Sequence, residues 1–119
     1  KLKTMAIKNQ QGKISLLRVH EVGSGWGAGS DQLDAEVIFK IAGDAANYAY
    51  GFQLRNDGNG PAHQAMFGLL KEAASKNLTI HFDYNERTGK KNHPAIRIWI
   101  TPSTSNVGTA EFHPGIAIE

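Results

Sequence analysis

The chain has 119 residues, 40% of them hydrophobic and 20% charged, proportions typical of one globular domain. A net charge of +2, with no run of Lys or Arg longer than two residues, disfavours a protein dedicated to double-stranded nucleic acid. The absence of Cys excludes disulfides and thiolate ligands or nucleophiles. No apolar run approaches the roughly 18 residues of a membrane span. The sequence therefore predicts a single domain over residues 1–119 and no membrane span.

The N-terminal residues predict two strands separated by a turn. Residues 2–8 mix apolar and polar side chains as an additional first strand would, and Gly12 ends a polar stretch that predicts a turn. The next strand, over residues 13–22, would bend or be covered on both faces, because Leu16 and Leu17 point to opposite sides.

Residues 23–30 form an unusual loop in which four glycines surround Trp26. The spacing from Gly23 to Ala28 superficially matches a dinucleotide fingerprint, but a strand rather than a helix follows, so no cofactor is predicted. Trp26 either folds back onto the body of the domain or contacts a ligand from the loop, and we keep it as a candidate binding residue.

A strand with strict alternation is predicted over residues 33–41. Its apolar side chains point one way, and Asp34, Glu36 and Lys40 would form the opposite face. Two carboxylates that close could serve acid–base chemistry, but the nearby Lys40 favours a solvated polar face, so no catalytic role is predicted.

The following strand, over residues 48–55, carries large aromatic side chains on one face. Its other face includes Gly51 and Gln53. A glycine inside a strand indicates close approach by a neighbouring group, and Gln53 is a candidate for hydrogen bonding to a ligand.

One helix is predicted over residues 61–76, with Pro61 at its first position and Asn77 as a left-handed cap. The spacing from Asp57 to Gly60 imitates the start of a calcium loop but lacks the later carboxylate, so a helix-capping turn is predicted instead. An apolar stripe should seal the sheet; its members are Ala62, Met66, Leu69, Leu70 and Ala73.

Two more strands are predicted after the helix, over residues 78–84 and 95–101. The residues between them, 85–94, would form a long polar loop in which His93 is solvated. Residues 102–119 are predicted to be a C-terminal tail.

Three strands, a helix and two strands follow one another in the order typical of the OB-fold, a partly open Greek-key barrel. We therefore predict a mainly β, OB-like barrel of five or six strands with the helix between strands three and four. The alternative is an α+β sheet with one packed helix, which periodicity alone does not distinguish.

Part of this pattern resembles the cell-binding subunits of pentameric bacterial toxins. The resemblance covers about 50 residues and rests on an aromatic strand, a helix, a short strand and an Ile-rich strand, at 50–54, 64–73, 77–84 and 96–100. It implies an OB barrel, a ring of subunits lined by helices, and glycan recognition by a secreted or periplasmic protein. The usual disulfide of that family has no counterpart here, and a chain without Cys also fits the cytoplasm.

The sequence offers little support for catalysis. It has neither Cys nor a Gly-x-Ser-x-Gly elbow. Its five histidines are scattered, and no two have the i, i+4 spacing of a helical metal site. We predict no catalytic residue, no metal and no cofactor.

The outward faces of the last two strands carry the strongest candidate site. If the apolar residues point inward, His81 and Asp83 should lie on the outer surface beside Arg97 and Trp99 of the neighbouring strand. An exposed Trp indicates a partner. That partner is the C-terminal tail, a second subunit, or a ligand.

We therefore predict a non-catalytic module that recognises a glycan or a cell-surface partner through this aromatic and polar face, as a homo-oligomer. One alternative is a single-stranded nucleic-acid binder, which would need its aromatic residues within a basic groove. Charge for such a groove would come from Arg18, Lys40, Arg55 and Arg97, and stacking from Tyr48 or Trp99. Another alternative is a structural assembly subunit without a small ligand.

Overall fold

The computed structural model describes residues 6–101, which form a closed five-stranded barrel with one α-helix. The C-terminal tail predicted over residues 102–119 lies outside the described residues. The predicted OB-like architecture is confirmed, with the helix between the third and fourth strands, and the α+β sheet is not adopted. The elements are β1 Ile7–Val19, β2 Val37–Ile41, β3 Ala49–Phe52, α1 Gly60–Lys76, β4 Thr79–Asn85 and β5 Asn92–Ile100. The spatial order of the strands is β1-β2-β3-β5-β4, with β3 and β5 parallel and the other pairs antiparallel.

The predicted division of the N-terminal part into two strands and a turn is wrong, because β1 runs without interruption from Ile7 to Val19. The first half of β1 pairs with β4 and the second half with β2. Gly12, at a φ of 153°, and a bulge between Ile14 and Leu16 bend the strand from one partner to the other. The glycine that predicted a turn therefore serves the barrel's curvature, and the barrel has five strands.

The main core lies inside the barrel and is rich in aromatic rings. Phe39, Tyr50 and Phe82 come from three different strands, and their ring centroids lie 4.6–5.6 Å apart. The helix contributes Met66, Leu70 and Ala73 to this core and contacts β1, β4 and β5. This is the predicted sealing role, although the first residue of the expected stripe, Ala62, is exposed.

Both helix ends follow from the sequence. The Asp57 carboxylate accepts a hydrogen bond from the Asn59 backbone N–H at 2.9 Å, which makes the tight turn before α1. Asn77 ends the helix at a φ of 55°, the left-handed conformation, and its N–H donates to the Ala73 carbonyl.

A second, smaller core covers the outside of β2 and β3. It contains Leu33, Ala35, Ile38 and Ala49, with Trp26 packed against it. The predicted strand over 33–41 therefore begins only at Val37, because the residues before it turn back to cover the sheet. The solvated face expected on this strand is wrong for Glu36, which is only 2% exposed, whereas the side chain of Asp34 is exposed as predicted.

Candidate ligand-binding face

The outer surface of β1, β4 and β5 carries polar and aromatic side chains in register. One row across the strands consists of Gln11, His81 and Trp99. The next row consists of Asn9, Asp83 and Arg97. Because alternate residues of a strand point to the same side, both rows face outward over the buried residues Ile80 and Phe82. These six residues are called the outer face below.

Trp99 lies where the sequence predicts it, on the outside of β5, and 37% of it is exposed. The His81 imidazole stacks on the indole, with ring centroids 5.7 Å apart and ring planes 12° apart. This cross-strand stack restricts the orientations open to the indole. A ligand would meet a fixed aromatic surface, which lowers the entropic cost of binding.

Asp83 and Arg97, which the sequence predicts to be neighbours, form a cross-strand ion pair. Arg97 Nη1 lies 2.8 Å from Asp83 Oδ2, and Asn9 Nδ2 donates to Asp83 Oδ1 at 2.9 Å. The three planar polar groups are thus linked across three strands, next to the indole. Each oxygen of Asp83 accepts one of these hydrogen bonds. The side-chain oxygen of Asn9 and the remaining N–H groups of Arg97 can still bond to hydroxyl groups.

Three of the four cations suggested for a basic groove are engaged away from the outer face. Arg55 binds the carboxylates of Asp34 and Glu36 at 2.6 and 2.8 Å. Arg18 lies over the Trp26 ring, 5.1 Å from its centroid, and Lys40 donates to the side chain of Asn47. The stacking candidate Tyr48 is half-buried against His93 instead of lying in a groove.

Trp26 does not join the outer face. It forms an isolated bridge with Leu33, to which it is linked by two backbone hydrogen bonds, and packs against the second core. The glycines around it allow this folding back, since Gly25 and Gly27 have φ angles of 70° and 94°. This arrangement is the packing alternative expected for Trp26.

Gln53 lies apart from the outer face as well, at a groove of about 410 Å³. The groove opens where β3 and β5 diverge after their last pair, Gly51 and Pro94, and it is also lined by His63 of α1. The side-chain amide of Gln53 donates a hydrogen bond to the Asp34 carbonyl at 3.0 Å. This bond links two residues that line the groove. Of the six predicted binding residues, the structure brings together His81, Asp83, Arg97 and Trp99 only.

The prediction of a solvated His93 is wrong. β5 begins at Asn92, earlier than expected, and His93 pairs in parallel with Tyr50. The imidazole is 0% exposed, and the rings of Tyr48, Tyr50 and Tyr84 surround it. Two lysines lie shortly before His93 and a proline follows it, so the local sequence resembles a loop and does not predict a strand.

Within residues 6–101, no group of three His, Asp or Glu side chains is placed to hold a metal ion. Among the same residues, no helix combines the length and the apolar character needed to cross a membrane. Neither protein-family models nor curated proteins nor solved structures give a match to the chain.

Proposed function

We propose that this protein is a non-catalytic module that binds glycans through the outer face. The observation that carries the proposal is the exposed indole of Trp99, held by His81 beside the linked side chains of Asn9, Asp83 and Arg97. A sugar ring has an apolar C–H face that packs on an aromatic ring, and its hydroxyl groups need neighbouring donors and acceptors. The outer face offers both kinds of contact side by side.

The charge of the outer face favours a neutral ligand over a nucleic acid. Arg97 is neutralised by Asp83, and the nearby Lys13 ammonium donates to the Asn77 carbonyl at 3.0 Å. Binding to single strands depends on free cations that follow the phosphate backbone. A glycan that bears only hydroxyl groups requires no such charge.

A homo-oligomer is part of the proposal. A single indole with a few hydrogen bonds gives weak binding, and several copies presented together raise the overall affinity without new contacts. The resemblance to the ring-forming toxin subunits supports the same assembly.

Replacement of Trp99 by alanine tests the proposal. Binding of the wild type to an array of immobilised glycans should persist at high salt, and Trp99→Ala should weaken it by about 30-fold, corresponding to roughly 2 kcal/mol. Trp99→Phe should retain part of the affinity because it keeps a ring. Val22→Ala is the matched control, since Val22 is an exposed apolar residue at 63% that lies outside the outer face.

Sedimentation of the same variants completes the test. The proposal requires Trp99→Ala to lose glycan binding while its oligomeric state stays that of the wild type. Loss of the oligomer would instead identify Trp99 as a subunit contact. A wild type that binds no glycan, or that binds single-stranded nucleic acid with a steep salt dependence, would overturn the proposal.

A further inference from the structure

Two loops meet at one end of the barrel, far along the chain from each other. Residues 20–36 connect β1 to β2, and residues 86–91 connect β4 to β5. The Arg87 guanidinium of the second loop donates to four backbone carbonyls, those of Ser30, Asp31, Gln32 and Asn92, at 2.7–3.4 Å. One side chain therefore fastens the two loops to each other and to the start of β5.

The Asp31 carboxylate reinforces this junction from the opposite side. It accepts hydrogen bonds from the backbone N–H groups of Lys91 and Asn92 at 3.0–3.2 Å. Although burial alone would raise it, these two N–H groups lower the pKa of Asp31 below its usual value. Asp31 therefore stays ionised in mild acid. We call Asp31, Arg87 and His93 together the clasp.

His93 holds the backbone of Arg87 in place. Its Nδ1 accepts a hydrogen bond from the Arg87 backbone N–H at 2.9 Å. A neutral imidazole that accepts at Nδ1 carries its proton on Nε2. Nε2 is buried and has no hydrogen-bond partner among the described residues.

A second proton on His93 is incompatible with this bond. The new Nδ1–H would point at the Arg87 N–H, so that two donors would face each other at hydrogen-bonding distance. Tyr50 and Tyr84 supply no negative charge that would stabilise an imidazolium. Burial raises the pKa of both phenols, so they stay neutral. The imidazolium could be accommodated only if the ring or the loop moved.

The charged groups around His93 do not offset this conflict. Burial is the largest influence and lowers the pKa of His93 below 6.5, and Arg87 acts in the same direction. Glu86, Asp31 and the nearby Lys90 backbone favour the imidazolium but do not reverse this shift. Tyr50 faces His93 from β3, Tyr48 from the position just before that strand, and Tyr84 from β4.

We propose that protonation of His93 opens the clasp, so that the loops over 20–36 and 86–91 separate in mildly acidic solution. Both loops also line the groove beside β3 and β5, through Gln32–Ala35 and Arg87. Opening the clasp would therefore widen that groove, whereas the residues of the outer face, within β1, β4 and β5, would keep their strand pairing. This pH-dependent switch is independent of glycan binding.

The sign of the pH dependence follows from linkage. The closed clasp binds the proton of His93 more weakly than an open, hydrated state does. The closed state is fully stable above pH 6.5 and loses stability as the pH falls from 6.5 toward the lowered pKa. Within that window, the equilibrium constant for opening should rise about tenfold for each unit of pH.

Amide hydrogen exchange of the wild-type chain measures this opening directly. The measured exchange rates are first corrected for the intrinsic pH dependence of exchange. The amides of Arg87, Lys91 and Asn92 should then lose protection over the pH range in which His93 takes up its proton. The amide of Phe39 in β2 should keep its protection. ¹⁵N shifts of the imidazole should place the neutral proton on Nε2; a proton on Nδ1 instead would overturn the proposal, without any variant.

Variants identify the titrating group. His93→Asn keeps an acceptor at the δ position and cannot titrate, so the pH dependence of the loop amides should disappear. His20→Asn removes the histidine of the first loop, which lies outside the clasp, and should leave the dependence in place. The proposal fails if the Arg87 amide stays protected while His93 takes up its proton, or if the dependence survives in His93→Asn.

Discussion

Replacing Gly51 with alanine is expected to lower the free energy of unfolding by about 3 kcal/mol, at the upper end of the cost of overpacking. A Cβ atom at this position would lie 2.6 Å from the Val37 carbonyl oxygen and 2.7 Å from Ile38 Cδ1. The carbonyl belongs to the backbone of β2, which pairs with β3 at this point, so it cannot rotate away. β2 and β3 would have to move apart.

Gly68→Ala is the matched control. Gly68 lies in the exposed part of α1, and a Cβ atom there would have nothing within 4 Å. Alanine should therefore raise the stability by about 1 kcal/mol, since it removes the entropic cost of glycine in a helix. Denaturant unfolding of both variants should give shifts of opposite sign, and a Gly51→Ala variant as stable as the wild type would show that β2 and β3 can separate at little cost.

Much of the barrel could be predicted because local signals and tertiary contacts agree. β4 has the strictest alternation, and its buried residues Ile80, Phe82 and Tyr84 are those that its period of two selects. The helix is equally clear, since Pro61 and Asn77 mark its ends in the sequence. The four members of the outer face on β4 and β5 were predictable for the same reason, because consecutive strands joined by a hairpin loop become antiparallel neighbours.

The errors occur where distant parts of the chain decide the structure. β1 serves two partner strands, and nothing in its own sequence shows that Gly12 is a bend rather than a turn. The outer side of β2 is buried by the glycine-rich loop around Trp26, which has no periodicity that could reveal its packing. Trp26 packs against the second core, and Gln53 donates a hydrogen bond to Asp34. Both residues therefore lie away from the outer face.

His93 shows the same limit most clearly. A short β3 pairs in parallel with the start of β5, from Asn92 to Pro94, and a proline there argues against a strand in any sequence-based prediction. The pairing buries an imidazole that its local sequence presents as exposed. The only available signal was the cluster of Tyr48, Tyr50 and Tyr84, whose common position requires knowledge of the barrel.

Replacing Glu36 with alanine is the second large effect that we expect, a loss of about 3 kcal/mol of unfolding free energy. The Glu36 carboxylate is buried and accepts hydrogen bonds from the Leu54 backbone N–H at 2.9 Å and from Arg55 Nε at 3.0 Å. Its second oxygen accepts from Arg55 Nη2 at 2.8 Å. Alanine would leave a backbone donor and part of a guanidinium without their acceptor at the end of β3.

Asp34→Ala separates the buried contact from the exposed one, because both carboxylates bind the same Arg55. The side chain of Asp34 is 66% exposed, so water can replace it, and its loss should cost no more than about 1 kcal/mol. Denaturant unfolding of the two variants at neutral pH compares them directly. Equal costs would mean that Glu36 acts only as a surface charge; a larger cost for Glu36 would assign the stabilisation to its buried hydrogen bonds, which hold the end of β3 against the residues that lead into β2.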